Sequence, residues 1–443
     1  MLSTFKKLWN DERGNALLLA AAALPLVVGS AGLATDTIQW TLWKRQLQRA
    51  ADSAAIAGVY QRVLTNTQTA VEGAVTTDLG KNQHTGIALL TGYPQVTLLS
   101  ASGVQTQRVQ VALAVRRPLA FSGMFLSQAP AIQANATAAS VPGHDQYCII
   151  SLETNPSKVG ITGTGNSAVE MDCGGITNDP SSNSAAANGS SNMTMSVIAS
   201  VGGIQQSNNW HVGKYDPYIT AMPDPYAAVS PDTAGMKCAQ TTATQGNKTT
   251  VSMTALNENT DLTNAKDANG NKANCFTSLS VGSGKTLNLP AGTYYISGGD
   301  VNIQGAITGT DVTIVLTNVD PASTTIGTFK MNAGATANLT APTTGTYAGI
   351  AVYQDRRATD ANGSGSPNKI NGNSSSTIIG ALYFPKQELE YNGTGTLTAV
   401  CTRFVTRRII FSGNNSTSNK FAKDCAGSGI PDWDGGRLVR LVA

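Results

Sequence analysis

Three histidines, His84, His144 and His211, are the only imidazoles in a chain of 443 residues, and they fall in three separate segments. A Ser-His-Asp triad meets in space and not in sequence, so scatter alone does not forbid one. No G-x-S-x-G elbow accompanies them, and solvated surface histidines are the plainer reading. Residues 282–286, Gly-Ser-Gly-Lys-Thr, imitate the end of a phosphate-binding loop. That loop needs a glycine five places before Gly284, where Leu279 stands, and a helix after it, where TLNLPAGTYYI reads as strand. A turn is expected instead. Asp267 to Asn271 resemble a calcium loop, but Lys272 holds the place that requires glycine. A polysaccharide-cleaving solenoid would need charged side chains clustered on neighbouring coils, and Asp300, Asp311, Asp355, Arg356, Arg357, Arg403, Arg407 and Arg408 are the candidates. Alternation puts Arg403, Val405 and Arg407 on one face, which reads as a solvated outer face. No catalytic residue, metal ligand or cofactor is assigned, and the chain is read as non-enzymatic.

The sulfur chemistry is more informative. Cys148, Cys173, Cys238, Cys275, Cys401 and Cys425 all lie downstream of a long apolar run, and an even number in an exported region predicts disulfides. Six cysteines allow fifteen connectivities. The simplest pairs neighbours: Cys148 with Cys173, Cys238 with Cys275, Cys401 with Cys425. Metal binding is the alternative, but there is no C-x2-C spacing to support it. A net charge of +3 implies no basic surface for nucleic acid. With 13% charged and 6% aromatic residues and 45 glycines, short strands between many turns fit better than a helical bundle.

The element that must locate this chemistry is residues 16–35, which carry no charge. At about 1.5 Å per residue they span roughly 30 Å, the thickness of a hydrocarbon core. Ala16, Leu17, Leu18, Leu19, Leu24, Pro25, Leu26, Val27 and Val28 form the expected anchor, Pro25 being tolerable in a bilayer helix. A cleaved secretory signal is the competing reading, since Lys6, Lys7 and Arg13 precede the run. The run exceeds the roughly 7 to 15 residues of such a signal and passes directly into a helical pattern, so an uncleaved anchor is preferred. Basic residues before it predict a cytoplasmic tail over 1–15 and an exported remainder, against the weaker opposing signal of Lys44, Arg45 and Arg49.

Beyond the membrane, Ile38, Leu42, Leu47, Ala51, Ala54 and Gly58 recur at helical spacing, with Trp40 and Trp43 near the exit. Residues 95–100, 107–116 and 131–140 read as strands, the first two joined as a hairpin through residues 101–103. The fold class is thus α+β followed by all-β. A transmembrane, pilin-like helix packs on a small antiparallel sheet over 36–142. A parallel, β-helix-like β-solenoid over 143–207 and 276–425 follows, with a β-sandwich as the alternative. Residues 208–275, rich in Pro and Tyr and then polar, read as an irregular insertion, and 426–443 as a C-terminal tail.

The run Arg13-Gly14-Asn15-Ala16, the sequence Gly32-Leu33-Ala34-Thr35-Asp36 and the helix from Leu47 to Ala55, LQRAADSAA, resemble the N-terminus of TadG-like proteins (TadE/TadG family) of the tight-adherence (Tad/Flp) pilus system. AIQANATAAS, DPYAAV before Cys238, LPAGTYYISGG, GIAVYQD and GALYFP with YNGTG are similar to later segments of the family. The resemblance implies a single-pass protein of the bacterial inner membrane, its C-terminal region periplasmic or surface-exposed. It also implies a role in assembly, anchoring or presentation of adhesive pili, with the membrane and pilin-like subunits as partners. Related subunits are cut by a prepilin peptidase after a glycine, with glutamate five residues into the mature chain. Gly14 and Asn15 supply the bond, but Leu19 stands at the glutamate position. Retention as an anchor is therefore favoured over packing into a filament. Two alternatives are a surface adhesin binding glycan or a host surface through the solenoid, and a polysaccharide lyase or hydrolase.

Overall fold

In the computed structural model the residues described are 12–81, 88–143, 145–245, 248–360, 367–372, 376–393, 396–399, 401–414, 416–419, 425, 427–431 and 436–442. Most of the expected cytoplasmic tail, along with His84 and His144, lies outside them. The chain divides into two compact units, Met1–Val141 with Leu438–Ala443, and Pro142–Arg437.

The first unit is built on one helix, α1 (Glu12–Leu64), followed by α2 (Gln68–Lys81). Strands β1 (Gln95–Leu98), β2 (Thr106–Arg116) and β3 (Ala131–Pro142) pair antiparallel in that order. The segment expected to be a tail supplies Arg437–Val442 as a fourth strand beside β3. Leu47, Ala50, Ala51, Ala54, Ala55 and Val59 form the buried stripe of α1. They meet Val109, Val111, Leu113 and Val115 of β2, Ile132, Ala134, Ala136 and Ala138 of β3, and Val71 and Val75 of α2. Small residues let the backbones approach. At Gly58 an added Cβ would stand 2.9 Å from a methyl of Val109. The stripe starts later than its spacing suggests, because Ile38 and Leu42 are exposed where the helix has not yet reached the sheet.

The second unit is almost entirely strand, and the pairings that join its successive turns are parallel. Cys275–Phe276, Gly292–Ser297, Val312–Thr317, Ile350–Gln354, Thr377–Gly393 and Thr402–Ser412 pair one upon the next. Two further ladders run beside this one, starting from Leu279–Val281 and Thr286–Leu289. The chain order of this stack is not its spatial order. Tyr147–Ser151 and Ile161–Gly163 pair with Thr402–Ser412, and Gly174–Thr177, Asn192–Ser200 and Trp210–Pro217 continue outward from there. Early and late parts of the sequence thus abut in the middle. Ile, Val, Leu and Phe side chains from both parts share one core.

A consequence follows for residues 218–274. They must return from the outer edge at Trp210–Pro217 to the opposite end at Cys275, nine strand spacings of about 4.8 Å, or about 43 Å. The segment expected to be irregular from 208 therefore begins with a stack strand, runs back as a strap, and adds an antiparallel hairpin, Gln240–Gln245 with Lys248–Met253.

Candidate functional site

The chemistry-bearing feature of the first unit is the stem, and its properties change at Asp36. Leu19, Leu24, Leu26, Val27, Val28 and Leu33 are all more than half exposed, on all sides of α1. A helix apolar all round suits a non-aqueous surrounding. Ala16, Leu17, Leu18 and Pro25 belong to the same continuous helix, and the Gly14–Asn15 bond lies in its first turn. Among the described residues this is one helix long and apolar enough to cross a membrane.

Asp36 itself is buried, 3% exposed. Its carboxylate accepts the N–H of Phe121 at 2.9 Å and both the N–H and hydroxyl of Ser122 at 2.5 Å. These donors open the short 3-10 turn Ser122–Met124, whose free N–H groups need such an acceptor. Burial pushes the carboxyl up, but the bonds from Ser122 and Phe121 outweigh it and hold it below its ordinary value. One turn earlier, a Cβ on Gly32 would come within 2.3 Å of the Phe121 ring. Gly32 and Asp36, four apart on one helix face, thus seat the loop of residues 119–126.

Farther along, Arg117 lies over the Trp43 ring at 4.5 Å, a cation–π contact. Lys44 donates to the Gln133 carbonyl and Gln48 to that of Asn135, the latter at 2.9 Å. Four helical residues rise about 6 Å and two strand residues about 6.6 Å, so these paired contacts fix α1 in register along β3.

Residues 14–62 match the family described as "Putative Flp pilus-assembly TadE/G-like". This stretch is a TadE/G-like segment. It takes in the exposed run, the Gly32–Asp36 seat and the buried stripe, and stops just short of the end of α1. No curated protein matches the chain. Among solved structures, the crystal structure of the competence-associated pilin ComZ from Thermus thermophilus aligns with 80% of this chain and 86% of that one. The identity is 8% and the TM-score 0.26, too low to bear on the fold.

Outside the TadE/G-like segment, the candidate arginines and most of the candidate carboxylates of the second unit are engaged in structure. The face carrying Arg403 and Arg407 is not the solvated one expected from alternation. Arg403 is buried and donates to the Pro431 carbonyl at 2.8 Å. Arg408 bonds Glu153 at 2.5 Å, Asp360 at 2.8 Å and Glu388 at 3.0 Å, and Arg407 reaches Glu153 at 3.1 Å. Burial raises the Glu153 carboxyl, yet the Arg407 bond, the Asn155 N–H and Arg408 bring it below its ordinary value. This cluster joins Glu153, just after Tyr147–Ser151, to Thr402–Ser412, where the two parts of the stack meet.

Arg356 serves the strap: it donates to the Val229 carbonyl at 2.5 Å and to that of Tyr226, and pairs with Asp224 at 3.2 Å. Tyr383 gives its hydroxyl to the same Asp224 carboxylate at 2.6 Å, and its ring stacks on Tyr353 at 4.9 Å. Arg357 bonds Asp355, which burial raises but Arg357 and Thr317 hold low. Asp300 caps Thr328, and Asp311 adopts a left-handed turn at φ 56°. These carboxylates and arginines do not converge on one cleft. Asp267 closes its own turn by accepting Asn269 and Asn271 N–H groups, and residues 282–285 form the expected turn. His211 is exposed on Trp210–Pro217. A concavity bounded by Leu262, Lys272, Asn274 and Tyr294 has one charged lining residue, Lys272, and the Tyr294 hydroxyl donates to the Pro290 carbonyl at 2.8 Å. Three disulfides join Cys148 to Cys173, Cys238 to Cys275 and Cys401 to Cys425.

Proposed function

We propose that the chain is a membrane-anchored, non-enzymatic component of a Tad/Flp-type pilus system that assists assembly, anchoring or surface presentation of the pilus. Residues 16–35 serve as a single-pass anchor in the bacterial inner membrane, residues 1–15 face the cytoplasm, and residues 36–443 are exported. The observation that carries this reading is the TadE/G-like match over 14–62, coinciding with a helix that exposes apolar side chains before Asp36 and buries a stripe after it. Leu19, in place of an acidic residue, favours retention in the membrane over incorporation in a filament.

In this reading residues 36–141 are a pilin-like module whose stem contacts pilin-like subunits, and the parallel ladders of the second unit are a β-solenoid. The register of strand on strand through successive turns favours that architecture over a sandwich. Such a rigid stack suits bracing or display. A second reading, an adhesin that binds glycan, draws on Tyr215 and Tyr218, exposed aromatics near the outer edge of the stack. Deleting the gene should abolish surface pili while complementation with the full chain restores them. Normal pili with lost attachment would replace the assembly role by the adhesin.

A further inference from the structure

The loop that Gly32 and Asp36 seat has a tip that the anchor alone does not explain. Met124 is 77% exposed, Phe125 74% and Leu126 51%, three consecutive large apolar side chains facing out. Phe125 is braced edge-on against Phe121 at 5.3 Å, and Phe121 occupies the notch at Gly32. The tip is therefore held at one level of α1, the last turn of its uncharged run. Contiguous apolar exposure of this kind marks a contact surface.

What lies at that level is fixed by the helix. Residues 16–35 fill a hydrocarbon core, so residues 32–36 sit at its far boundary. The surroundings grade in polarity as an interface does. Trp40 is exposed one turn on, and Arg117 rests on Trp43. Trp40 lies four residues past Asp36, about 6 Å along the helix, within the roughly 5–8 Å of a headgroup layer. Aromatic and basic residues are the usual anchors of that layer.

We propose that Met124, Phe125 and Leu126 insert into the non-cytoplasmic leaflet of the membrane crossed by α1. The loop gives the first unit a second foothold. A single helix leaves a domain free to rotate about its axis, whereas a helix and a loop fixed to it by Asp36 define which face of the sheet points along the membrane. The proposal rests on residues 16–35 being the anchor.

The test places p-benzoylphenylalanine singly at Leu26, Phe125 or Val104 in the full chain, reconstituted in vesicles of phosphatidylethanolamine and phosphatidylglycerol. Val104 is an equally exposed apolar control, 67% exposed, at the opposite end of β2. Illumination should yield lipid adducts at Leu26 and at Phe125, the latter several-fold above Val104. Adducts at Leu26 with Phe125 no higher than Val104 would overturn the loop insertion and leave the anchor intact. Adducts from Phe125 to a second copy of the chain would overturn it in favour of protein docking. No lipid adduct at Leu26 would remove the anchor and the insertion together.

Discussion

Gly58 carries more of the first unit than its size suggests. It sits on the buried face of α1 with the Val109 methyl 2.9 Å from where a Cβ would be and Val75 at 3.3 Å. Replacing it with leucine must push the helix off the sheet, and overpacking of this kind costs about 1–3 kcal/mol. Gly58→Leu should therefore weaken hydrogen-exchange protection across β2 by roughly 5- to 150-fold. Gly73 of α2 has nothing within 4 Å of its would-be Cβ. Gly73→Ala should raise or preserve protection, because alanine is the better helix former by about 1 kcal/mol. Equal responses at the two glycines would contradict this packing. The stripe of Leu47, Ala51 and Ala54 was readable in the sequence because helical period alone selects it. The seat at Gly32 and Asp36 was readable only as a family motif, since its partners, Phe121 and Ser122, lie 85 and 86 residues from Asp36.

At the scale of elements, the second unit is held by what crosses between strands distant in sequence. Glu153 is fully buried and faces two arginines of Thr402–Ser412. Its carboxyl is held below the ordinary 4.5, so the unfolded chain takes up its proton first as pH falls. The stabilisation is complete above that ordinary value and is lost as pH drops through the depressed folded one. Asp355 and Glu390, also held low, add in the same direction. Urea unfolding should thus show a lower midpoint in acid, below about pH 4.5, than near neutrality. Glu153→Gln should lower the unfolding free energy at neutral pH by about 3–5 kcal/mol for a broken buried pair, shift the urea midpoint down with it, and flatten the acid dependence. An unchanged acid slope in the variant would show that Glu153 does not carry the acid dependence of the stack.

The same elements explain where sequence reasoning stopped. Alternation correctly separates the two sides of a strand such as Thr286–Leu289, whose exposed and buried residues alternate. It says nothing of what covers a side. Alternation alone puts Arg403 and Arg407 on a solvated face, yet the ion-pair cluster and the chain at Pro431 cover it. Nor does local pattern disclose that residues 147–217 stack beyond residue 412, because parallel pairing across more than 250 residues leaves no periodic trace. The strap follows from that reversal. Its docking residues, Asp224 and Tyr226, stand out in the sequence only through a Pro- and Tyr-rich composition and as part of DPYAAV, and neither signal says what they dock on.

Across the whole molecule, the features divide the work by sequence position. Under the proposed function an apolar helix takes the chain to a membrane; the Gly32–Asp36 seat and the α1–β3 register build a module upon its continuation, and a stack of parallel strands supplies a large, disulfide-tied second unit. The account depends most on the first of these. Alkaline carbonate extraction of cell envelopes, followed by detection of the second unit in pellet and supernatant, tests it directly. A full-length chain retained in the inner-membrane pellet, still carrying residues 16–35, is the predicted result. Release of the second unit into the supernatant as a chain lacking residues 16–35 would contradict the anchor.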